Sequence, residues 1–236
     1  MGLELWRGKS QIDGKPIVLL LSGEKGSSRN SKTGQMAQSW ILRSDIHPQE
    51  ALKTGEDISI CGNCPHRPKG PNASRRSCYV SMMAPNSIWK AWRSGSYPKA
   101  PARPLEPFPS VRMGSYGDPV AVPYGAWIDF LEAYGVSHWT GYTHQWRLGL
   151  ASPYKTLLMA SVDSPSEYDE AKDLGWRTFR VRHHGQELQE SEIICPASSE
   201  GGYRTTCEKC QLCRGTSLSA RDIAIEVHGN GKGYFV

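Results

Sequence analysis

Short apolar runs recur along the chain, separated by polar stretches rich in glycine, proline and serine. Eight of these runs predict strands: PIVLLLSG (16–23), SWILR (39–43), VRMGSYG (111–117), SHWTGYTH (137–144), TLLMASVD (156–163), WRTFRVR (176–182), EIICP (192–196) and DIAIEVHG (222–229). Several are continuously apolar instead of alternating, the pattern of strands buried on both faces. The clearest helices are YVSMMAPNSIWKAW after Cys78, PYGAWIDFLEAYG (123–135), opened by Pro and closed by Gly, and SPSEYDEAKDLG (164–175), with a Ser N-cap and a closing Gly.

Between 111 and 182 the order is strand, helix, strand, strand, helix, strand, with connections short enough for parallel crossovers. The expected fold class is therefore α/β, a parallel sheet forming a TIM-like or partial (β/α) barrel, with a Cys-rich segment at 191–215. A length of 236 residues fits one domain, 1–236. The stretch YPKAPARPLEPFP (97–109) holds five prolines and is expected to be a surface loop. Neither an internal repeat nor a heptad pattern is found.

Composition narrows the setting. The longest apolar run, Ile17 to Leu21, falls far short of the ~20 residues that span a bilayer. The N-terminal MGLELWRGKS has no apolar signal core, and Trp6 breaks the myristoylation pattern. A soluble, cytoplasmic protein without a membrane partner is expected. The net charge of +5 is modest, and Lys and Arg are dispersed except around Arg67, Lys69, Arg75 and Arg76, which permits an anionic partner. Seven cysteines in a reducing cytosol point to metal binding before disulfides.

The cysteines divide into four and three. Cys207, Cys210 and Cys213 are each separated by two residues, and Cys195 follows a predicted strand, so the four make a complete thiolate site. The CxxCxxC run resembles half of the bacterial ferredoxin pattern, which favours a [4Fe–4S] cluster, with structural zinc as the alternative. Thr205, Thr206, Glu208, Lys209 and Gln211 make the segment too polar for a core strand. Upstream, Cys61 and Cys64 form a pair and Cys78 follows after thirteen residues. Three thiolates leave one position to be closed by His66, as Cys3His zinc, or kept open for a small ligand. A zinc ribbon mixing Cys61 and Cys64 with two downstream cysteines is a third arrangement, which leaves thiols unmatched.

The loop SGEKGSSRNSKTG (Ser22 to Gly34) follows a strand and ends in Ser-Lys-Thr, but Ser31 stands where a P-loop needs Gly. A looser anion or carboxylate site using Lys32 remains open beside an ordinary surface loop. Gly114, Ser115, Tyr116, Gly117 and Asp118 fall at one predicted strand end, and Tyr142, Thr143 and His144 at the next. Asp163, His183, His184 and His228 fall at equivalent places, and in parallel α/β architectures such ends form the ligand crevice. Trp89 and Trp92, three apart, are expected in the core, with Trp139 and Trp146 as candidates to line the pocket.

The set Cys61, Cys64, Cys78-Tyr79 before a helix, then a strand with Arg112 and Gly117-Asp118, a helix with Trp127 and a strand ending Tyr142-Thr143, resembles phage-encoded proteins of the radical-SAM-like barrel type. The resemblance covers about residues 60–146. It implies that Cys61, Cys64 and Cys78 hold three irons of a [4Fe–4S] cluster whose fourth iron chelates S-adenosylmethionine. It also implies an electron donor as partner, reductive cleavage of the cofactor, a substrate in the barrel mouth, and the host cytoplasm as location. Under it, Gly114, Ser115 and Gly117, with Thr143 and Lys32, are cofactor contacts, and Tyr116, Asp118, His144 and Asp163 are the catalytic candidates. Cys195, Cys207, Cys210 and Cys213 would hold an auxiliary cluster. The alternative is a nucleic-acid-binding protein in which both cysteine groups are structural, zinc or iron–sulfur, and the basic loop 67–76 meets phosphates. The substrate is accordingly a small molecule or a nucleic acid.

Overall fold

The computed structural model describes residues 2–23, 31–68, 75–101, 108 and 110–235. Most of the five-proline loop and the middles of the Ser22–Gly34 and Arg67–Arg76 segments lie outside the described residues. Each predicted strand is present, one of them broken in two, and one further strand precedes them.

The first sheet runs in the order β1 (Gly2–Lys9), β2 (Pro16–Ser22), β3 (Ala37–Arg43), β4 (Ser110–Tyr116) and β5 (His138–Thr140). Its first three strands are antiparallel, and β3, β4 and β5 are parallel. The second sheet is wholly parallel, in the order β6 (Tyr142–Thr143), β7 (Met159–Val162), β8 (Thr178–Arg182), β10 (Asp222–Glu226) and β9 (Glu192–Ile194). The protein is therefore mixed α/β with parallel sheets. Among the described residues the pairings make two open sheets and not a closed barrel.

Gly141 is the joint between the sheets. Its N–H donates to the Cys213 carbonyl at 3.2 Å and its carbonyl accepts from Met159 N–H at 3.0 Å, so neither group continues the β4–β5 ladder. A Cβ here would collide with Leu158 and press on Met113. A larger residue would have to displace Leu158 for the strand to change sheets at this point.

Burial explains the sheet order. Ile17 to Leu21 in β2 are wholly buried, as a strand covered on both faces requires, and each contributes about 1.5–3 kcal/mol through apolar burial. They pack with Ile41, Leu42, Val111, Met113 and Trp127 in one core cluster. A second, smaller cluster under the parallel sheet contains Met159, Phe179, Ile223 and Ile225 together with Cys195 and Cys213.

The helices are α1 (Pro48–Thr54), α2 (Ile58–Cys61), α3 (Met83–Arg93), α4 (Tyr124–Ala133), α5 (Pro165–Asp173) and α6 (Cys207–Cys210). The expected Ser164 cap is in place, its hydroxyl accepting from Glu167 N–H at 3.2 Å. Helix α3 begins four residues later than Tyr79, because residues 76–81 run without regular structure past the cysteine site. Trp92 is buried and Trp89 packs against the core, as expected. No helix among the described residues is long and apolar enough to cross a membrane.

Candidate metal centres and the cavity between them

The upstream site starts from one helical turn, α2, which ends at Gly62 with φ 53° and ψ −133°. No L side chain adopts that conformation readily, and a Cβ would overlap the Gln145 amide. The turn lets Cys61 and Cys64 follow each other closely, with Cys64 N–H donating to the Cys61 carbonyl at 3.2 Å. Cys78 joins them because its N–H donates to the His66 carbonyl at 3.2 Å, which closes the intervening loop. Arg67 braces the turn from outside, bonding Asp57 at 2.6 Å and the Gly55 carbonyl at 2.8 Å.

The three thiols feel one another. Burial pushes Cys61 well above the usual thiol range, and the neighbouring Cys64, Asp57 and Cys78 push the same way. Burial likewise raises Cys78. Buried thiols in one place favour the thiolate only when a cation compensates them, as a metal ion or cluster does.

The downstream site is built at the edge of the second core cluster. Cys195 continues β9, its N–H donating to Ala224 at 2.8 Å, and its carbonyl is held by the Ser198 hydroxyl at 2.7 Å. Cys207 and Cys210 bound the single turn α6, which closes with Gln211 in the left-handed region. Cys213 is fixed through its carbonyl to Gly141. Burial raises Cys213 to about 12, and Cys195, Cys207 and Cys210 add to the effect, so the four lie together. Cys195 and Cys213 are buried, while Cys207 and Cys210 are half-buried.

A cavity of about 370 Å³ separates the two sites. Cys61, Cys64 and Cys78 are on its wall, and Cys207 is on it too, so one chamber touches both groups. Gly114, Ser115, Tyr116, Gly117, Asp118, His144 and Lys32 also line it. The strand-end reasoning thus gathered residues that the fold does bring together. Thr143 is buried behind the wall, and Asp163 borders a second cavity.

These side chains differ in what they have free. Asp118 is fully engaged: Oδ1 accepts from Val120 N–H at 3.0 Å, and Oδ2 from the Thr143 hydroxyl at 3.0 Å and His144 N–H at 2.9 Å. It clamps the end of β4 to the end of β6. Ser115 donates to Gln38 at 2.7 Å, and Gly114 N–H donates to Ser39 at 2.8 Å. The Tyr116 hydroxyl is buried without a partner, and burial raises its pKa well above the usual phenol range. Lys32 is tied by its carbonyl to Cys207 N–H at 2.9 Å, so the described end of the Ser22–Gly34 loop docks on α6.

His66 faces oxygen, with Nδ1 2.8 Å from the Ser77 hydroxyl and Nε2 3.1 Å from Asp163. Both ring nitrogens are thus occupied away from the thiols. Among the described residues, the one group of three possible metal ligands within 4.8 Å of one another is His66, His144 and Asp163, and it contains no cysteine. Tetrahedral zinc at 2.3 Å from sulfur would bring thiolates to about 3.8 Å of each other. A cubane cluster holds them further apart.

Several expected residues stand elsewhere. Trp139 and Trp146 do not line the cavity, because each indole N–H is taken by a carbonyl, Leu157 at 2.9 Å and Ser161 at 3.0 Å. His184 is exposed and pairs with Glu226 at 2.9 Å, and the His183 ring packs on Phe235. His228 does line the cavity. Of the basic cluster, Arg67 is held by Asp57 and Arg76 by the Val80 carbonyl, and Lys69 lies outside the described residues.

Nothing in residue type or spacing pointed to Gln145, a buried amide that clamps the Cys61–Cys64 turn, or to Ser77 beside His66. Arg112, inside the cavity against Tyr79, was legible only through its place in the motif series. No family model, curated protein or solved structure matches this chain.

Proposed function

We propose that this is an iron–sulfur protein of the radical-SAM-like kind, with an open-site [4Fe–4S] cluster on Cys61, Cys64 and Cys78 and a second cluster on Cys195, Cys207, Cys210 and Cys213. The observation that carries this reading is a cavity with three thiols on one wall and Cys207, the first of the downstream CxxCxxC cysteines, on another, while His66 is turned to Ser77 and Asp163. Three thiols without a fourth protein ligand leave one iron open to a small molecule.

The donor sets fit the groups they would hold. When bound, an open cluster supplies one-electron reduction of S-adenosylmethionine, chemistry that belongs to the cofactor. The protein's residues orient and enclose. We read the two sheets, joined at Gly141, as an open barrel-like wall around the chamber. Gly114 to Gly117 form its floor beside the three thiols, where positive φ and close packing on Pro119 and Ile41 require glycine at 114 and 117. Asp118 and Thr143 lock the floor to the β6 end, which fixes His144 against Cys64. Arg112 and Lys32 add positive charge between the two cysteine groups, which suits anionic clusters and a carboxylate-bearing cofactor.

Cys78→Ser and Cys210→Ser test the reading separately. Each should lose about half of the iron and sulfide of the wild-type chain, and only Cys78→Ser should abolish a response to S-adenosylmethionine. Zinc in place of iron in protein purified without oxygen overturns the proposal.

A further inference from the structure

Three side chains from separate parts of the fold meet on the far side of His144. His66 comes from the turn after Cys64, His144 follows β6, and Asp163 follows β7. One ligand atom from each lies within 4.8 Å of the other two. His66 Nε2 is 3.1 Å from Asp163 Oδ1, and His144 Nε2 is 3.5 Å from Asp163 Oδ2. Ligand atoms that converge this closely are near enough to share one metal ion after small side-chain rotations, since ligands about 2.1 Å from a metal lie about 3.0–3.4 Å apart.

Hydrogen bonding alone does not satisfy the group. His144 Nε2 and Asp163 Oδ2 are buried and 3.5 Å apart, at the limit of a hydrogen bond and without a well-formed one, with Cys64 the other polar neighbour of the ring. Polar atoms buried in this way are costly unless something else satisfies them. The surroundings resemble the outer ring of a metal site. Ser77 holds the Nδ1 of His66 at 2.8 Å, which fixes the ring and leaves Nε2 directed at Asp163. Asp163 is in turn anchored through its N–H to Glu167 at 2.8 Å.

There is also room for more ligands. A cavity of about 210 Å³ borders His66, Asp163 and Glu167 and is separate from the larger chamber, with His66 and Ser77 in the wall common to both. From this geometry we infer that His66, His144 and Asp163 bind a divalent first-row transition metal ion, distinct from both cysteine sites, with open positions toward the smaller cavity. Two imidazoles and one carboxylate with vacant positions is the donor set of mononuclear non-haem iron(II), and zinc and manganese accept it as well. With one carboxylate against a dication, the site keeps a net positive charge, suited to binding and acidifying water or holding an anionic group. The inference does not depend on what the cysteines hold.

Manganese(II) is the probe, because a hard ion competes poorly for thiolates and so reports this site alone. The full chain, purified without oxygen and with its cysteine sites as isolated, is titrated with manganese(II), and the free ion is followed by electron paramagnetic resonance. One ion per chain is expected, with affinity reduced at least about tenfold in Asp163→Asn and in His66→Gln, and iron and sulfide unchanged in both. A readout free of variants accompanies it: substoichiometric manganese(II) should broaden the imidazole signals of His66 and His144 in long-range proton–nitrogen spectra and spare those of His47 and His138. Absence of binding at millimolar manganese(II), or equal binding by wild type and both variants, overturns the inference and leaves a hydrogen-bonded His–Asp–His group. Loss of iron without loss of manganese binding would count against the cluster reading only.

Discussion

The Gln145 amide holds the Cys61–Cys64 turn at two points: its Nε2 donates to the Cys61 carbonyl at 3.0 Å, and its Oε1 accepts from Asn63 N–H at 3.2 Å. A buried side chain at the β6 end thereby sets the geometry of the Cys61–Cys64 turn, 82 to 84 residues away in sequence. Removing it takes one of two donors from the Cys61 carbonyl, which keeps Cys64 N–H, and leaves Asn63 N–H to solvent. Gln145→Leu should destabilise the protein by about 1 kcal/mol. It should also lower iron occupancy at the three-cysteine site while leaving the four-cysteine site filled, which urea unfolding and metal analysis together would reveal.

The Arg180–Glu192 pair is wholly buried and bidentate, with bonds of 2.8 and 2.6 Å. It joins β8 to the loop and strand that lead into Cys195. Glu192→Gln leaves a buried guanidinium without its counter-charge, and such breaks cost about 3–5 kcal/mol. Denaturant midpoints should fall accordingly. An effect below about 1 kcal/mol would mean that water reaches the pair.

Asp118 is an anchor for three donors, so its shape matters more than its acidity. Asp118→Asn places an amide N–H against groups that donate, with an expected loss of about 1–3 kcal/mol. Thr143→Val removes one of the three bonds and also the hydroxyl that accepts from the buried Gln145 N–H at 2.9 Å, so its cost should be comparable. If Asp118→Asn folds with wild-type stability but is inactive, the carboxylate has a chemical role that its hydrogen bonds do not reveal.

The His144–Asp163 contact makes stability depend on pH in a defined direction. Burial opposes the charge on His144, but Cys64 and Asp163 outweigh it and raise the imidazole well above its usual value. Burial would also raise Asp163, but the close polar contacts and charge of His144 and His66 hold it well below the usual carboxylate range. A raised histidine contributes stability that is full below about pH 6.5 and is lost as pH rises through its folded value. A depressed aspartate contributes stability above about pH 4 that is lost only in strong acid. Protein treated with a chelator should therefore weaken from pH 6.5 upward in urea titrations. Asp163→Asn should flatten that slope, and an unchanged slope would assign it to another group.

Much of the fold was legible. Continuous apolar runs such as Ile17 to Leu21 announce strands covered on both faces, and the Ser164 cap announces a helix start. Strand β1 was missed because Leu3 and Leu5 alternate with Glu4, whose burial depends on a partner 88 residues on, the Trp92 indole at 2.6 Å. Helix α1 was missed because His47 serves as its cap, accepting from Gln49 N–H at 3.2 Å. The seven cysteines and the β4 end were legible by residue type and spacing. His66 was not, since it stands among cysteines in sequence but turns toward Asp163, 97 residues away. The Trp139 and Trp146 expectation failed for a related reason: an indole beside a pocket motif goes where its N–H finds a carbonyl.

The central claim rests on two clusters, one with an open iron. Iron and sulfide analysis with electron paramagnetic resonance, on protein purified without oxygen and reduced with dithionite, tests it before and after S-adenosylmethionine is added. About eight irons per chain in two [4Fe–4S] clusters, with a spectrum that changes on adding the cofactor, is the predicted result. Zinc without iron, or four irons with a spectrum indifferent to the cofactor, would contradict it.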